Sequence, residues 1–118
     1  MFDPRNPEHF AMLLLVHLAS ADGSLLPAEE DVILKEGKDL FNSYDVAPLF
    51  ESTREYWKRL GTVNAMAEID DSLQLLGSLK EAQRNKLYSL LFDVINADGR
   101  VREEETTFLK KVKFHLLS

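Results

Sequence analysis

Two stretches of this 118-residue chain carry oxygen-bearing side chains at a spacing that suits a hard cation. One is Ala97-Asp98-Gly99 with Glu105; the other is Ala21-Asp22-Gly23 with Glu29, at an offset of 76 residues from Asp22 to Asp98. Both read A-D-G-x-[VL]-x-x-x-E. An EF-hand loop supplies oxygen ligands from positions 1, 3, 5, 7, 9 and 12, with glycine at 6 and an aliphatic residue at 8. With Asp98 at position 5, Gly99, Val101 and Glu105 take positions 6, 8 and 12, and Asn96 takes position 3. In the first copy Ser20, Asp22, Gly23, Leu25 and Glu29 take the same places. Position 1 fails in both, because Leu18 and Val94 stand where an acid is needed. One Asp, one Glu and one neutral oxygen per loop imply calcium affinity of about millimolar, since ligand charge and rigidity set affinity.

The same residues also make a rigid corner without any metal. A glycine can close a helix, an Asp can accept hydrogen bonds from loop amides, and a Glu early in the next helix can reach a free amide and complement the dipole. Metal site and corner are compatible, because an EF-type loop is itself such a corner.

The apolar positions around the two motifs correspond as well. Leu14 and Leu15 match Leu90 and Leu91, and Val32 and Ile33 match Phe108 and Leu109, which points to two copies of one helix-loop-helix unit, about 7–42 and 79–117. Asn6 and Pro7 open a first helix with Phe10, Leu13, Leu14 and Leu18 on its apolar face, and Gly23 follows its end. Pro27 opens a second, burying Val32, Ile33, Leu40 and Phe41, with Gly37 inside it to admit a close neighbour. After a turn over Asn42 to Asp45, Asp45 caps a third helix that stops at Gly61. Thr62 caps a fourth, with Met66, Ile69, Leu73 and Leu76 at helical steps and Gly77 as its end. Ser78-Leu79-Lys80-Glu81 reads as a capping box for the fifth, which carries Leu87, Leu90, Leu91, Val94 and Ile95. The sixth starts near Glu103 and carries Phe108, Leu109, Val112 and Leu116. No strand-like alternation is present, so the expected fold is an all-α compact bundle of about six helices, two related helix-loop-helix units flanking a central helical pair.

Length and 45% hydrophobic content suit a single domain with a real core. No apolar run approaches the roughly 20 residues of a membrane span, and the start M-F-D-P-R-N-P lacks a signal-peptide pattern, so a cytoplasmic location and no direct membrane insertion are expected. With no cysteine there is no disulfide, thiolate site or cysteine nucleophile. A net charge of −6 argues against nucleic acid as a partner. His17 aligns with Asp93 between the copies and is expected to be either a core histidine or a further ligand. Asp70 and Asp71 point about a third of a turn apart and read as a solvated face. Tyr56 and Trp57 read as interhelix packing, or as the mark of a partner groove. No phosphate-binding glycine loop, nucleophile elbow or H-E-x-x-H helix occurs, and an enzyme is not expected.

The paired Ala21-Asp22-Gly23/Glu29 and Ala97-Asp98-Gly99/Glu105 motifs, each between two apolar helices, resemble those of the tellurite-resistance protein TerB and TerB-like domains, a family that includes the N-terminal region of a membrane-anchored DnaJ-type co-chaperone. The likeness follows the helix order over nearly the whole chain, and its specific part is the two loops. It implies a compact all-α domain with an acidic surface where the loops approach each other, a divalent-metal site there, and a link to stress responses through protein partners. Pro27 and Ala28 stand opposite Glu103 and Glu104, so the first loop departs from a fully acidic version. The resulting expectation is a non-enzymatic module, linked to stress or tellurite-resistance-type systems, whose acidic loops bind a divalent cation, calcium first, through Asp98, Glu105, Asn96, Asp22, Glu29 and Ser20. The alternative is a purely structural protein–protein interaction domain in which the motif only fixes helix geometry.

Overall fold

Helix α1 (Pro7–Ser20) starts as local chemistry requires. Asn6 Oδ1 accepts the N–H groups of Glu8 at 2.9 Å and His9 at 3.3 Å, and Pro7 occupies the first helical position, where its missing N–H costs nothing. The structure is a computed structural model and describes residues 2–20, 27–41, 45–97 and 103–116. Within them the chain forms α1, α2 (Pro27–Leu40), α3 (Val46–Leu60), α4 (Thr62–Ser72), a 3-10 segment (Leu73–Ser78), α5 (Glu81–Asn96) and α6 (Glu103–Leu116), with no strand among the described residues.

Every residue of α1 from His9 to Ser20 is buried. The expected face of Phe10, Leu13, Leu14 and Leu18 is inside, but so are Met12, Leu15 and Val16, each fully excluded from solvent. A helix apolar on all sides must be covered on all sides. The cover comes chiefly from α3 and α5, with α4 and the 3-10 segment alongside, while α2 packs mainly on α5. Thus α3 and α4 are central in chain order only; in space the centre is α1.

The second, fifth and sixth helices bury the expected side chains: Ile33 and Leu40 on α2, Leu87, Leu90, Leu91, Val94 and Ile95 on α5, Phe108, Val112 and Leu116 on α6. Phe41 is buried just beyond α2, whereas Val32 and Leu109 are half-buried. A Cβ on Gly37 would stand 3.4 Å from both the Phe41 ring and Val46, so the close neighbours are Phe41 and the first residue of α3, at ordinary contact distance.

The start of α3 falls where expected, and three later boundaries do not. Asp45 is the N-cap of α3, but its side chain makes no capping hydrogen bond; the preceding turn, 42–44, lies outside the described residues. Gly61 both ends α3, donating its N–H to Trp57 O at 3.0 Å, and starts α4, accepting from Ala65 N at 2.9 Å; Thr62 is therefore the first residue of α4, not its cap. The chain after Ser72 tightens into the 3-10 segment, so α4 ends before Gly77, although Ile69, Leu73 and Leu76 are buried as expected. The box at Ser78 does not form. Ser78 belongs to the last 3-10 turn, and Leu79 is drawn into the core in extended conformation, only 4% exposed. That anchor moves the N-cap of α5 to Lys80, whose N–H donates to Gln83 Oε1 at 3.1 Å.

Two surface contacts tie the helices together, Lys111 to Asp70 at 2.8 Å between α6 and α4, and Lys86 to Asp39 at 3.7 Å between α5 and α2. Asp70 is thus an ion-pair partner rather than simply solvated. Beside the second pair, Glu36 on α2 and Asp93 on α5 face each other closely enough to share a proton; this hydrogen bond first, then burial, raises the Glu36 carboxyl above its usual range.

Gly61 sits at φ 80° and ψ 161°, a region essentially restricted to glycine, with open space where a Cβ would go. Gly61→Ala should therefore lower unfolding free energy by about 1–3 kcal/mol through backbone strain alone, whereas Gly77→Ala, also in open space but without positive φ, should be neutral or slightly stabilising. Urea titration at unchanged m-value measures both. The Glu36–Asp93 pair gives a second test. A carboxyl raised in the folded state favours folding below its ordinary pKa, and that contribution is lost as pH rises through the raised value. Glu36→Gln should keep the hydrogen bond without the charge and raise the melting temperature near pH 7 by about 1–3 °C. At a pH low enough to protonate Glu36 in the parent protein, the difference should disappear.

Candidate functional site

Helix α1 ends at Ser20 and α2 begins at Pro27; α5 ends at Asn96 and α6 begins at Glu103. Both helix ends and both helix starts thus fall at the offset that relates the two sequence motifs. Glu29 and Glu105 are each the third residue of their helix, where a carboxylate complements the free amides and the positive end of the dipole. Both are buried, at 4% and 9% exposure, and neither is without a partner. Asp22, Gly23, Leu25, Asp98, Gly99 and Val101 lie outside the described residues.

The two oxygen positions at the helix ends differ. Ser20 is buried, on the face of α1 that belongs to the core. Asn96 is exposed, with its amide nitrogen donating to Phe92 O at 2.8 Å one turn back, so Oδ1 is the ligand atom it would bring. The missing acid at position 1 has a structural cause: Leu18 and Val94 are core residues, 2% and 0% exposed. Among the described residues no group of three or more His, Asp or Glu side chains converges to hold a metal. The described donors suit a hard cation in kind, but are too few to hold one without Asp22 or Asp98.

Next to the second loop a groove of about 420 Å³ runs between α4 and α6, lined by Met66, Glu103, Glu104, Thr107, Phe108 and Lys111. It combines an apolar floor with charges of both signs.

His17 is a core residue. It is 2% exposed, its Nδ1 accepts the Trp57 indole N–H at 3.0 Å, and its ring lies 5.3 Å from that of Phe108. With Nδ1 as acceptor, the neutral ring carries its proton on Nε2. Burial lowers its pKa below 6.5; the field of Asp70 acts against this and that of Lys111 with it. Near the other end of α1, His9 Nδ1 accepts the Asp3 N–H at 2.8 Å, and burial again lowers the pKa, opposed by Asp3 and Glu8. Phe2 stacks on His9 and lies 4.6 Å from the Tyr56 ring. Tyr56 donates its hydroxyl to Glu68, and its pKa is pushed up to about 12, by burial first and then by that bond. Tyr56 and Trp57 therefore serve interhelix packing through their polar ends.

The His17–Trp57 bond spans 40 residues and has no periodic signal in the sequence. Its one trace is His17 itself, since a histidine within an otherwise apolar run needs a buried partner for each ring nitrogen.

No curated protein and no solved structure matches the chain. The sequence does match the family model described as tellurite resistance protein TerB, over residues 8–117. This span takes in all six helices and both loops, so the chain belongs to the TerB family.

Proposed function

We propose that this chain is a non-catalytic TerB module whose acidic loops, the second before the first, bind a divalent cation weakly, and that a protein partner reads the loop surface in a stress or tellurite-resistance-type system. The observation that carries this reading is the placement of Glu29 and Glu105 as third residues of helices that begin at equivalent points after the two A-D-G motifs. A loop glutamate held at a helix start is where a position-12 ligand belongs. The second loop is favoured because Asn96 is exposed where Ser20 is buried, and because Glu103 and Glu104 add negative charge beside it. The cation would bind through Asp98, Glu105 and Asn96 there, and through Asp22, Glu29 and Ser20 in the first loop. Bound, it would neutralise the loop carboxylates; the protein's own part is to hold Glu105 and Asn96 at fixed helix ends. The groove along Glu103, Glu104, Thr107 and Lys111 supports the partner part of the reading, since it offers a polypeptide an apolar floor and charges of both signs.

The competing reading, a motif that only fixes helix geometry, draws on the burial of Glu29 and Glu105 and on the fact that neither is without a partner. Metal titration separates the two. For a dissociation constant of about 1 mM, 10 mM calcium should stabilise the metal-stripped protein by about 1.4 kcal/mol, raising the melting temperature by several degrees. Magnesium and zinc serve as comparisons. Asp98→Asn and Glu105→Gln should abolish this calcium-dependent increment, whatever they do to the metal-free melting temperature. A melting temperature that does not respond up to several millimolar would remove the metal role and leave the corner.

A further inference from the structure

The outer half of α3 is held to the molecule in an unusual way. All its buried residues, Val46, Leu49, Phe50 and Thr53, lie in the first half. From Arg54 to Leu60 there is no buried side chain, and Tyr56, Trp57 and Leu60 are only half-buried. Among the described residues, two hydrogen bonds from its own side chains fasten this half, Tyr56 to Glu68 on α4 and Trp57 to His17 on α1, and Asn64 of α4 adds one to the Leu60 carbonyl at its end. The first is insensitive to mild acid on the tyrosine side, because a phenol stays protonated. The second depends on an imidazole lone pair.

We propose that the His17–Trp57 contact is an acid-sensitive joint: a proton taken up at His17 Nδ1 converts that atom from acceptor to donor, breaks the bond from the Trp57 indole, and frees the outer half of α3 from α1. An indole nitrogen is a donor only, so it has no means of answering a protonated Nδ1. Two N–H groups then face each other at a contact that is 3.0 Å when bonded, inside the core, and the chain relieves the conflict by moving the less buried partner. Trp57 is that partner. Among the described residues the charged and titratable groups around the ring are few. From α3 it meets Trp57, with Tyr56 the adjoining residue; from α4, Asp70, with Glu68 bonded to Tyr56; from α6, Lys111 and the uncharged Phe108. Asp70 and Lys111 are paired with each other at 2.8 Å, so their opposing effects on His17 largely offset one another and burial decides. The lowered His17 pKa keeps the joint closed at neutral pH. Sign follows from linkage: the unfolded chain binds the proton first, so stability is full above about pH 6.5 and falls as pH drops from there towards the folded-state value.

Trp57 is the single tryptophan of the chain, so its indole N–H gives one resonance and its emission reports one site. The test follows the indole resonance, the emission and the imidazole resonances of His17 from pH 8 to pH 4.5 in the intact protein. The expected result is that the indole proton moves upfield and the emission shifts to the red in one single-proton step, with a midpoint below 6.5 that coincides with the His17 ring. His17→Gln retains an oxygen acceptor that does not titrate and should abolish the step; His9→Gln should leave it in place. In Trp57→Phe the neutral ring loses its donor, so the His17 midpoint should rise by roughly one pH unit, a tenfold gain in proton affinity. That variant and the parent titration decide the matter even if His17→Gln fails to fold. An indole resonance that stays still while His17 titrates, a step that persists in His17→Gln, or an unchanged His17 midpoint in Trp57→Phe would overturn the proposal.

Discussion

The burial of α1 on every side is the constraint from which the rest of the structure follows. A helix that is half-exposed can leave polar groups to water, but one whose residues 9–20 are all inside cannot. Five consecutive side chains, Met12 to Val16, bring apolar surface in every direction, each large one contributing about 1.5–3 kcal/mol when fully covered. The other elements are arranged to provide that cover. The 3-10 segment and Leu79 make sense in these terms. A regular α4 continued to Gly77 would carry Leu73 and Leu76 past their places, and tightening to three residues per turn keeps both in the core before Leu79 anchors the start of α5.

The same constraint governs the two histidines of α1. Each presents a ring nitrogen as acceptor to a donor from outside the helix, the Asp3 amide for His9 and the Trp57 indole for His17. Neither donor belongs to an ionised group, so both contacts favour the neutral ring, in the same sense as burial. The Nδ1 atoms of both histidines on the central helix are thus satisfied at the cost of tying fold geometry to the protonation state of imidazoles.

What could be read from the sequence divides along physical lines. Boundaries set by a residue's own backbone chemistry were legible: Asn6 as a cap, Pro7 and Pro27 as first turns, Gly61 as a stop at positive φ. The all-α class, the core list for α5, and those for α2 and α6 apart from half-buried Val32 and Leu109, were legible because helical periodicity is a local signal. Boundaries set by tertiary packing were not. Ser78 and Glu81 satisfy the capping-box pattern, but Leu79 between them is worth more in the core than a reciprocal pair of amide bonds is at the surface. The full burial of α1 was half legible: helical spacing marks a four-residue face, while the unbroken run from Met12 to Val16 demands cover on all sides. At the candidate site, the helix-start position of Glu29 and Glu105 followed from the motif, whereas the contrast between buried Ser20 and exposed Asn96 depends on which helix is central.

That contrast bears on how a cation could matter to this fold. In a loop that folds only around its ion, binding energy is folding energy. Here both loops hang between helix ends that the core already holds: Leu18 and Ile33 on one side, Val94 and Phe108 on the other, all nearly or fully buried. On the proposed reading a cation would find its position-12 carboxylates in place and would change little beyond the loop itself. Such a site would be weak, because the core has claimed position 1 in both copies, and its occupancy would follow ion concentration over a range of about millimolar. The residues that fix the helix geometry would in this way be the same ones that limit affinity. Whatever partner reads the loop surface would respond to loop charge and order rather than to a rearrangement of helices. A proton at His17 acts on the other element of the design, the loosely fastened outer half of α3. The two inputs would then bear on different faces of the same buried helix.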